Sequence, residues 1–483
     1  MMKLRILCLT LLILLEASTI ELTSGYPSKQ NYQSYTYVYE VSKEGKIDVK
    51  ITFTANGEGS SWIVVPIYEK YNFTVTNGNL YDEKKDVVSI FYANYSFKYS
   101  GTPTVFQISF SYKYGALIVE PNGAFFSTHI QFYPLATGRV VVYLPHNFKV
   151  VASDPLWLKK IDAGDRQKIM YNPPVSARIL ISFKTNKTDF ITVEGPGVEV
   201  ITPERYREVA KNLTEMYEKV KSRLEGITHT KINKLKVHFF VPSKMKDLEE
   251  LGYTPFKGDS LGDVNVNLIT IRMKEGITEQ VMLHEFVHHY LWAAGIQPKL
   301  LWVHEGFANY LSTEILYEQG VDVKDFIYEG LDQVPEYTRG DYSFLDDWRP
   351  GQERQDVALC YAASLYIIKY IGDEYGGLNF YGKFFEELTS EGAKIDTTQE
   401  FVEILSKASG SDMKPMFKAW KFDLTLNNTE PSISNPIEQW SRDLLKLIVL
   451  LIVVTLIITV IVLKARSKEE EYSMYFETEL PPT

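Results

Sequence analysis

The sequence predicts an α+β chain: a β-rich front, a small sheet with helices behind it, and one apolar helix near the end. Three patterns predict it. Short stretches of alternating apolar and polar residues fill 26–194, apolar residues at helical spacing dominate from 302 onward, and 447–463 is apolar apart from two Thr. Alternation marks strands with one buried face, and the longer period marks helices.

In the front part, Tyr35 to Val41 leads into a Glu44-Gly45 turn, after which Ile47, Val49, Ile51 and Phe53 alternate with polar residues. Phe106, Ile108, Phe110 and Tyr112 alternate in the same way, and 139–144 and 179–183 are further short strands. Many short strands separated by turns predict a sandwich-like β domain over 26–194. Glu194-Gly-Pro-Gly197 is read as its boundary. Thr202-Pro203-Glu204 then predicts a helix start by cap and first-turn proline, running to about Leu224. Leu235–Val241 and Val264–Arg272 read as strands. Val281 to Leu291 is an apolar-periodic helix, with Thr278 as its cap, Gly295 at its end and Pro298 beyond. Helices are predicted at 302–318, 356–375, 378–389, 397–408 and 412–423, with 320–356 irregular. The rear of the chain thus divides into 198–320, a sheet with its helices, and a helical lobe at 321–430, with a cleft expected between them.

The ends address a membrane. Residues 1–19 carry Lys3 and Arg5, an apolar stretch from Ile6 to Leu15, and then Ala17 and Ser18, the pattern of a signal peptide. Residues 444–463 approach the ~20 apolar residues that cross a bilayer about 30 Å thick. Lys464, Arg466 and Lys468 follow at once, which places the tail 464–483 in the cytoplasm. The expectation is a single-pass type I protein of the cell membrane, with one helix in the lipid bilayer and nearly everything else outside the cell. Of the two cysteines, Cys8 lies in the signal segment, so Cys360 has no partner for an intramolecular disulfide. Sequons at Asn72, Asn94, Asn186, Asn212 and Asn427 suit an exposed glycoprotein. A formal charge of −10 argues against nucleic acid as a partner.

The chemistry concentrates in Val281-Met-Leu-His-Glu-Phe-Val-His-His-Tyr290. His284 and His288 stand four apart, so on a helix they share a face and can offer two imidazole nitrogens to one metal ion. Glu285 can reach a water on that ion and take its proton. A catalytic zinc needs a third protein ligand. His289 points about 100° away around the helix. Glu305 is the better candidate: sixteen residues separate it from His288, and Gly295 to Pro298 supplies a turn that brings its helix back.

H-E-x-x-H followed by Trp302, Glu305, Gly306, Phe307 and Ala308 resembles the gluzincin metallopeptidases, in particular the aminopeptidase-N-like and glycyl-aminopeptidase-like enzymes. The resemblance implies a thermolysin-like zincin catalytic domain over 198–320, with Zn2+ on His284, His288 and Glu305 and with Glu285 as general base. It further implies that Tyr361, near the start of an apolar helix, stabilises the oxyanion, and that an amide near Asn309 orients a metal-bound histidine. His304 is read as a satisfied structural histidine. The substrate-side edge strand of that family is matched to Gly262–Ile271, but its amine-gripping Glu is missing here, with Asp263 and Asn265 as weak substitutes. That leaves aminopeptidase and endopeptidase action open. The expected partner is a peptide or protein substrate. The rival expectations are a cell-surface binding protein on a zincin scaffold, and zinc-dependent hydrolysis of a non-peptide substrate.

Overall fold

The computed structural model describes residues 32–424, apart from 68–69, 89–91, 245–246, 249, 258–259, 353 and 355. The expected signal peptide at 1–19, membrane helix at 444–463, tail at 464–483 and sequon at Asn427 lie outside the described residues. Among the described residues, no helix is long and apolar enough to cross a membrane.

The architecture is mixed α+β, with sheets in front and helices behind. The front holds a seven-stranded sheet in the order 159–163, 166–171, 137–145, 33–41, 47–66, 92–112, 72–87. All neighbours in it are antiparallel except Gln33–Val41 with Thr137–Pro145. Two of its strands are far longer than the predicted ones, Ile47–Pro66 and Tyr92–Tyr112. Their alternation weakens around Gly57 and Gly101, where the register shifts, and sequence patterning loses the strand there.

A four-stranded sheet (116–119, 122–126, 180–184, 149–154) lies behind the first. Both faces are largely buried along 116–119, 122–126 and 180–184, whereas 149–154 is mostly exposed. Ala116, Ile118, Phe125, Ile181 and Phe183 pack into the core of the seven-stranded sheet. Leu117, Ala124, Phe126 and Leu180 pack into the core of the rear half. The period-two alternation of a strand makes this possible, since neighbouring residues serve opposite layers. Arg272 clamps the junction by donating to Gly115 O at 3.1 Å, with its guanidinium over the Tyr112 ring. Tyr206 Oη accepts from Ile118 N at 2.9 Å.

The third sheet is mixed, in the order 190–195, 198–203, 235–240, 264–267, 252–253, with the three middle strands parallel. Glu194–Gly197 is the turn of its first hairpin, so the chain joins this sheet from Phe190 onward. Thr202 and Pro203 end a strand. The predicted helix start gives way to a 3-10 turn at Glu204–Tyr206, and the helix itself runs Arg207–Thr228.

The predicted edge strand Gly262–Ile271 is corrected in two respects. Only Val264–Asn267 is strand, and it is interior, with Leu268–Arg272 turning into a 3-10 helix. Val264 and Val266 are fully buried, as an interior strand requires. The edge is the short antiparallel strand Gly252–Tyr253. Asn267 holds it there, donating to Asp247 O and Glu250 O and accepting from Ile269 N.

Behind this sheet lie helices Ile277–Ala294, Leu301–Glu318, Val357–Tyr375, Leu378–Ser390 and Thr398–Ser409. The span 320–356, expected to be irregular, is built of short helical turns at 324–327, 331–333, 334–338 and 343–345.

Candidate metal centre

The helix Ile277–Ala294 begins at Gly276, whose φ of 89° supplies the N-cap, and Thr278 lies inside its first turn. It ends at Gly295 in the left-handed region, with φ 107°, and a Cβ there would strike Ala393 O. Residues on almost every face of this helix are buried, which is how an apolar helix without a polar side must sit. The helix Leu301–Glu318 returns antiparallel beside it. Trp302 anchors its first turn: Nε1 donates to Thr398 Oγ1 at 3.0 Å, and the ring packs on Phe401 and Phe422.

The two helices are joined rung by rung. Gln280 Nε2 donates to Ser312 Oγ at 3.0 Å. One turn on, His284 Nδ1 donates to Asn309 Oδ1 at 3.1 Å, while Asn309 Nδ2 donates to Glu305 O at 3.2 Å. A turn further, His288 faces His304 and Glu305. Gly306 lets the helix Val357–Tyr375 approach this rung. A Cβ at 306 would stand 2.7 Å from Ser364 O and 2.6 Å from Ile368 Cγ1.

The pairing brings three Lewis bases to one point. His284 Nε2 is 3.2 Å from His288 Nε2 and 3.3 Å from Glu305 Oε2, and His288 Nε2 is 3.9 Å from Glu305 Oε2. Ligand atoms about 2.0–2.1 Å from a tetrahedral zinc stand about 3.3–3.4 Å from one another, so the two edges from His284 match that ion and the third, from His288 to Glu305 at 3.9 Å, is wider. All three side chains are 0 % exposed. Neither carboxylate oxygen of Glu305 has a hydrogen-bond donor. Among the described residues, these three are the group of metal-ligating side chains close enough to hold one ion.

Burial sets the protonation of the centre. It holds His284 down at about 3, opposed by the bond to Asn309, and holds His288 well below the usual histidine range, with the neighbouring histidines adding to the effect. Both rings are therefore neutral near pH 7, the form that ligates. Burial pushes Glu305 well above the ordinary carboxyl range, and the nearby Glu285 pushes it further. A cation at the centre would reverse that cost.

Glu285 is also fully buried. Burial raises its pKa well above the ordinary range, the Thr254 hydroxyl opposes that, and Glu250 adds to it. Its Oε2 accepts from Thr254 Oγ1 at 2.9 Å, while Oε1 has no donor. The Gly252 edge strand crosses directly over it, and a Cβ at 252 would stand 3.0 Å from Glu285 Oε1. Thr254 and Gly252 were not singled out in the sequence. The Gly252-Tyr-Thr254 segment carries no periodic signal, and its bond to Glu285 spans 31 residues.

The remaining predicted residues fall as follows. Tyr361 is buried in the helix Val357–Tyr375, one turn before Ser364, with its ring edge-on to Trp348. His289 lies outside the triad, as its direction on the helix requires. Asp263 accepts from His238 Nε2, and Asn265 Nδ2 donates to Asp263 O, both near the surface. His304 is satisfied, as expected, donating from Nε2 to Ile296 O at 2.9 Å, but its Nδ1 also lies 3.4 Å from His288 Nδ1. The cleft expected between sheet and lobe is not open at the centre, where His284, Glu285, His288 and Glu305 are all shielded from solvent.

No protein-family model matches the chain, and no curated protein matches it. Among solved structures it is similar to native yeast LTA4 hydrolase, with a TM-score of 0.36 and 11% identity over 86% of this chain and 73% of that one. It is also similar to aminopeptidase A of Legionella pneumophila in complex with aspartic acid, with a TM-score of 0.33 and 14% identity over 84% of this chain and 51% of that one. At these scores the likeness carries nothing about chemistry, and the centre stands on its own geometry.

Proposed function

We propose that the chain is a zinc-dependent metallopeptidase of gluzincin type, held on the cell membrane with its catalytic part outside. One observation carries the catalytic reading: two neutral imidazole nitrogens and a carboxylate without a donor converge in a fully buried triangle, two edges of which match zinc. His284, His288 and Glu305 would hold the ion. Zinc, when bound, supplies a Lewis acid that polarises a carbonyl and acidifies a water toward neutrality.

The chain's own residues do the rest. Thr254 fixes Glu285 by Oε2, which leaves Oε1 to take a proton from the attacking water and return it to the departing amine. The low-polarity surroundings strengthen each of these interactions. Asn309 holds the His284 ring in the tautomer whose Nε2 is bare. Tyr361 is the candidate donor to the oxyanion. It lies on the helix that backs onto Gly306, next to a metal ligand. An extended peptide substrate would lie beside the edge strand Gly252–Tyr253, which crosses over the base. The membrane reading is supported by the apolar run 447–463 with its basic flank.

The catalytic reading is tested by incubating the purified chain with a mixed peptide library beside Glu285→Gln. Cleavage by the parent and none by the variant, with zinc retained in both, is the expected result. Zinc without cleavage in the parent would remove peptides as the substrate.

A further inference from the structure

The geometry points to His304 as a positioning residue that sets the tautomer of the ligand His288 through a relay of three hydrogen-bonding groups. The inference rests on the metal-site reading above. A carbonyl oxygen only accepts, so the 2.9 Å contact with Ile296 O places the proton of His304 on Nε2. A neutral imidazole has one N–H, so Nδ1 of His304 is bare and accepts. His288 Nδ1, 3.4 Å away, must then carry the proton that fills the contact. That leaves Nε2 of His288 bare, and Nε2 is the atom facing His284 and Glu305. Without the relay, His288 could carry its proton on Nε2 and present an N–H to the metal position.

The start of the relay is fixed by backbone rather than by a mobile side chain. Ile296 follows the C-cap Gly295 of the ligand helix and bridges Ile395. Gln297 N donates to Ile395 O at 2.8 Å, and Ile395 N donates to Gly295 O at 3.0 Å. Phe256 stands edge-on to the His304 ring and closes that side. The two ligand histidines are thus set by different devices, His284 by an amide and His288 by a second imidazole. A neutral imidazole carries no charge, so the arrangement orients the ligand without adding the negative charge that a carboxylate would bring to a buried site.

Two substitutions separate the two ends of the relay. His304→Asn can keep an acceptor near Nδ1 and loses the bond to Ile296. His304→Gln can keep a donor to Ile296 and loses the acceptor. Zinc affinity of the full-length chain is measured by chelator competition, and the histidine tautomers of the metal-free parent by nitrogen-15 NMR. His304→Gln should bind zinc roughly 10–100-fold more weakly than the parent. His304→Asn should bind at least tenfold more tightly than His304→Gln, and His288 should be protonated on Nδ1 in the parent. Affinity in His304→Asn no better than in His304→Gln, or His288 protonated on Nε2, would overturn the inference. If a variant fails to fold, the tautomer of the parent decides alone. Failure of the parent to bind zinc would sink the metallopeptidase reading instead, while the tautomer measurement would still stand.

Discussion

Glu305 places two carboxylate oxygens in a fully buried site with no donor, beside the Nε2 atoms of His284 and His288. A buried polar group without a partner costs about 1–3 kcal/mol, and more when charged, so the arrangement makes sense as a site that a cation completes. The same reasoning separates the roles of neighbouring residues. Thr254→Val should keep zinc and lower the rate, because it frees Glu285 without touching a ligand. Loss of zinc would instead place Thr254 in the metal's support. Tyr361→Phe should keep zinc and lower the rate by roughly 10²–10³ if its hydroxyl acts as one oxyanion donor. An unchanged rate would remove it from the site. Far from the centre, burial holds His129 at about 4, with Arg178 adding to the effect. An unfolded histidine titrates near ~6.5, so between these values the unfolded chain binds a proton that the folded chain refuses. Stability contributed by neutral His129 is therefore present above pH ~6.5 and lost as pH falls toward 4. His129→Gln should show a smaller drop in urea midpoint between pH 7 and pH 4.5 than the parent, and an equal drop would contradict the assignment. The four motif residues His284, Glu285, His288 and Glu305 were legible because helical spacing turns sequence distance into direction. The contacts of Thr254 and His304 were not, because they join elements whose approach no local period encodes.

Among the elements, Leu301–Glu318 packs closely against Val357–Tyr375 at Gly306, the neighbour of Glu305. Gly306→Ala would press a methyl group on Ser364 O and Ile368. Overpacking of this kind costs roughly 1–3 kcal/mol, and here it should weaken zinc binding as well, because the strained residue adjoins a ligand. Thermal unfolding with a zinc titration reads both, and an unchanged affinity would mean that Glu305 does not depend on that contact. The helices around the centre were legible from apolar period and glycine stops, within one or two residues at Leu301–Glu318 and Val357–Tyr375. The edge strand was not. Gly252–Tyr253 is two residues long, too short for alternation to show, whereas Val264–Asn267, matched to the edge by resemblance, occupies the interior. Thr202-Pro203 shows the other failure, a cap-like sequence overridden by pairing with Phe190 and Ile191.

Across the described molecule, the four-stranded sheet serves two cores at once. The front sheet and the rear half should therefore unfold in one transition, and stripping the proposed metal should lower its midpoint as linkage requires. Two separate calorimetric transitions would contradict a shared layer. The α+β order, sheets first and helices after, was legible from the change of period along the chain. The sharing of a middle sheet was not, because a strand buried on both faces reads only as apolar. The membrane segment is a reading of sequence, and it expects the chain to remain with membranes after an alkaline wash and a chain ending at Leu424 to be released. The most direct test of the central claim is the metal content of the purified full-length chain beside His288→Ala. One zinc per chain in the parent and almost none in the variant is the expected result. No zinc in the parent, or equal zinc in both, would mean that His284, His288 and Glu305 do not form the metal centre.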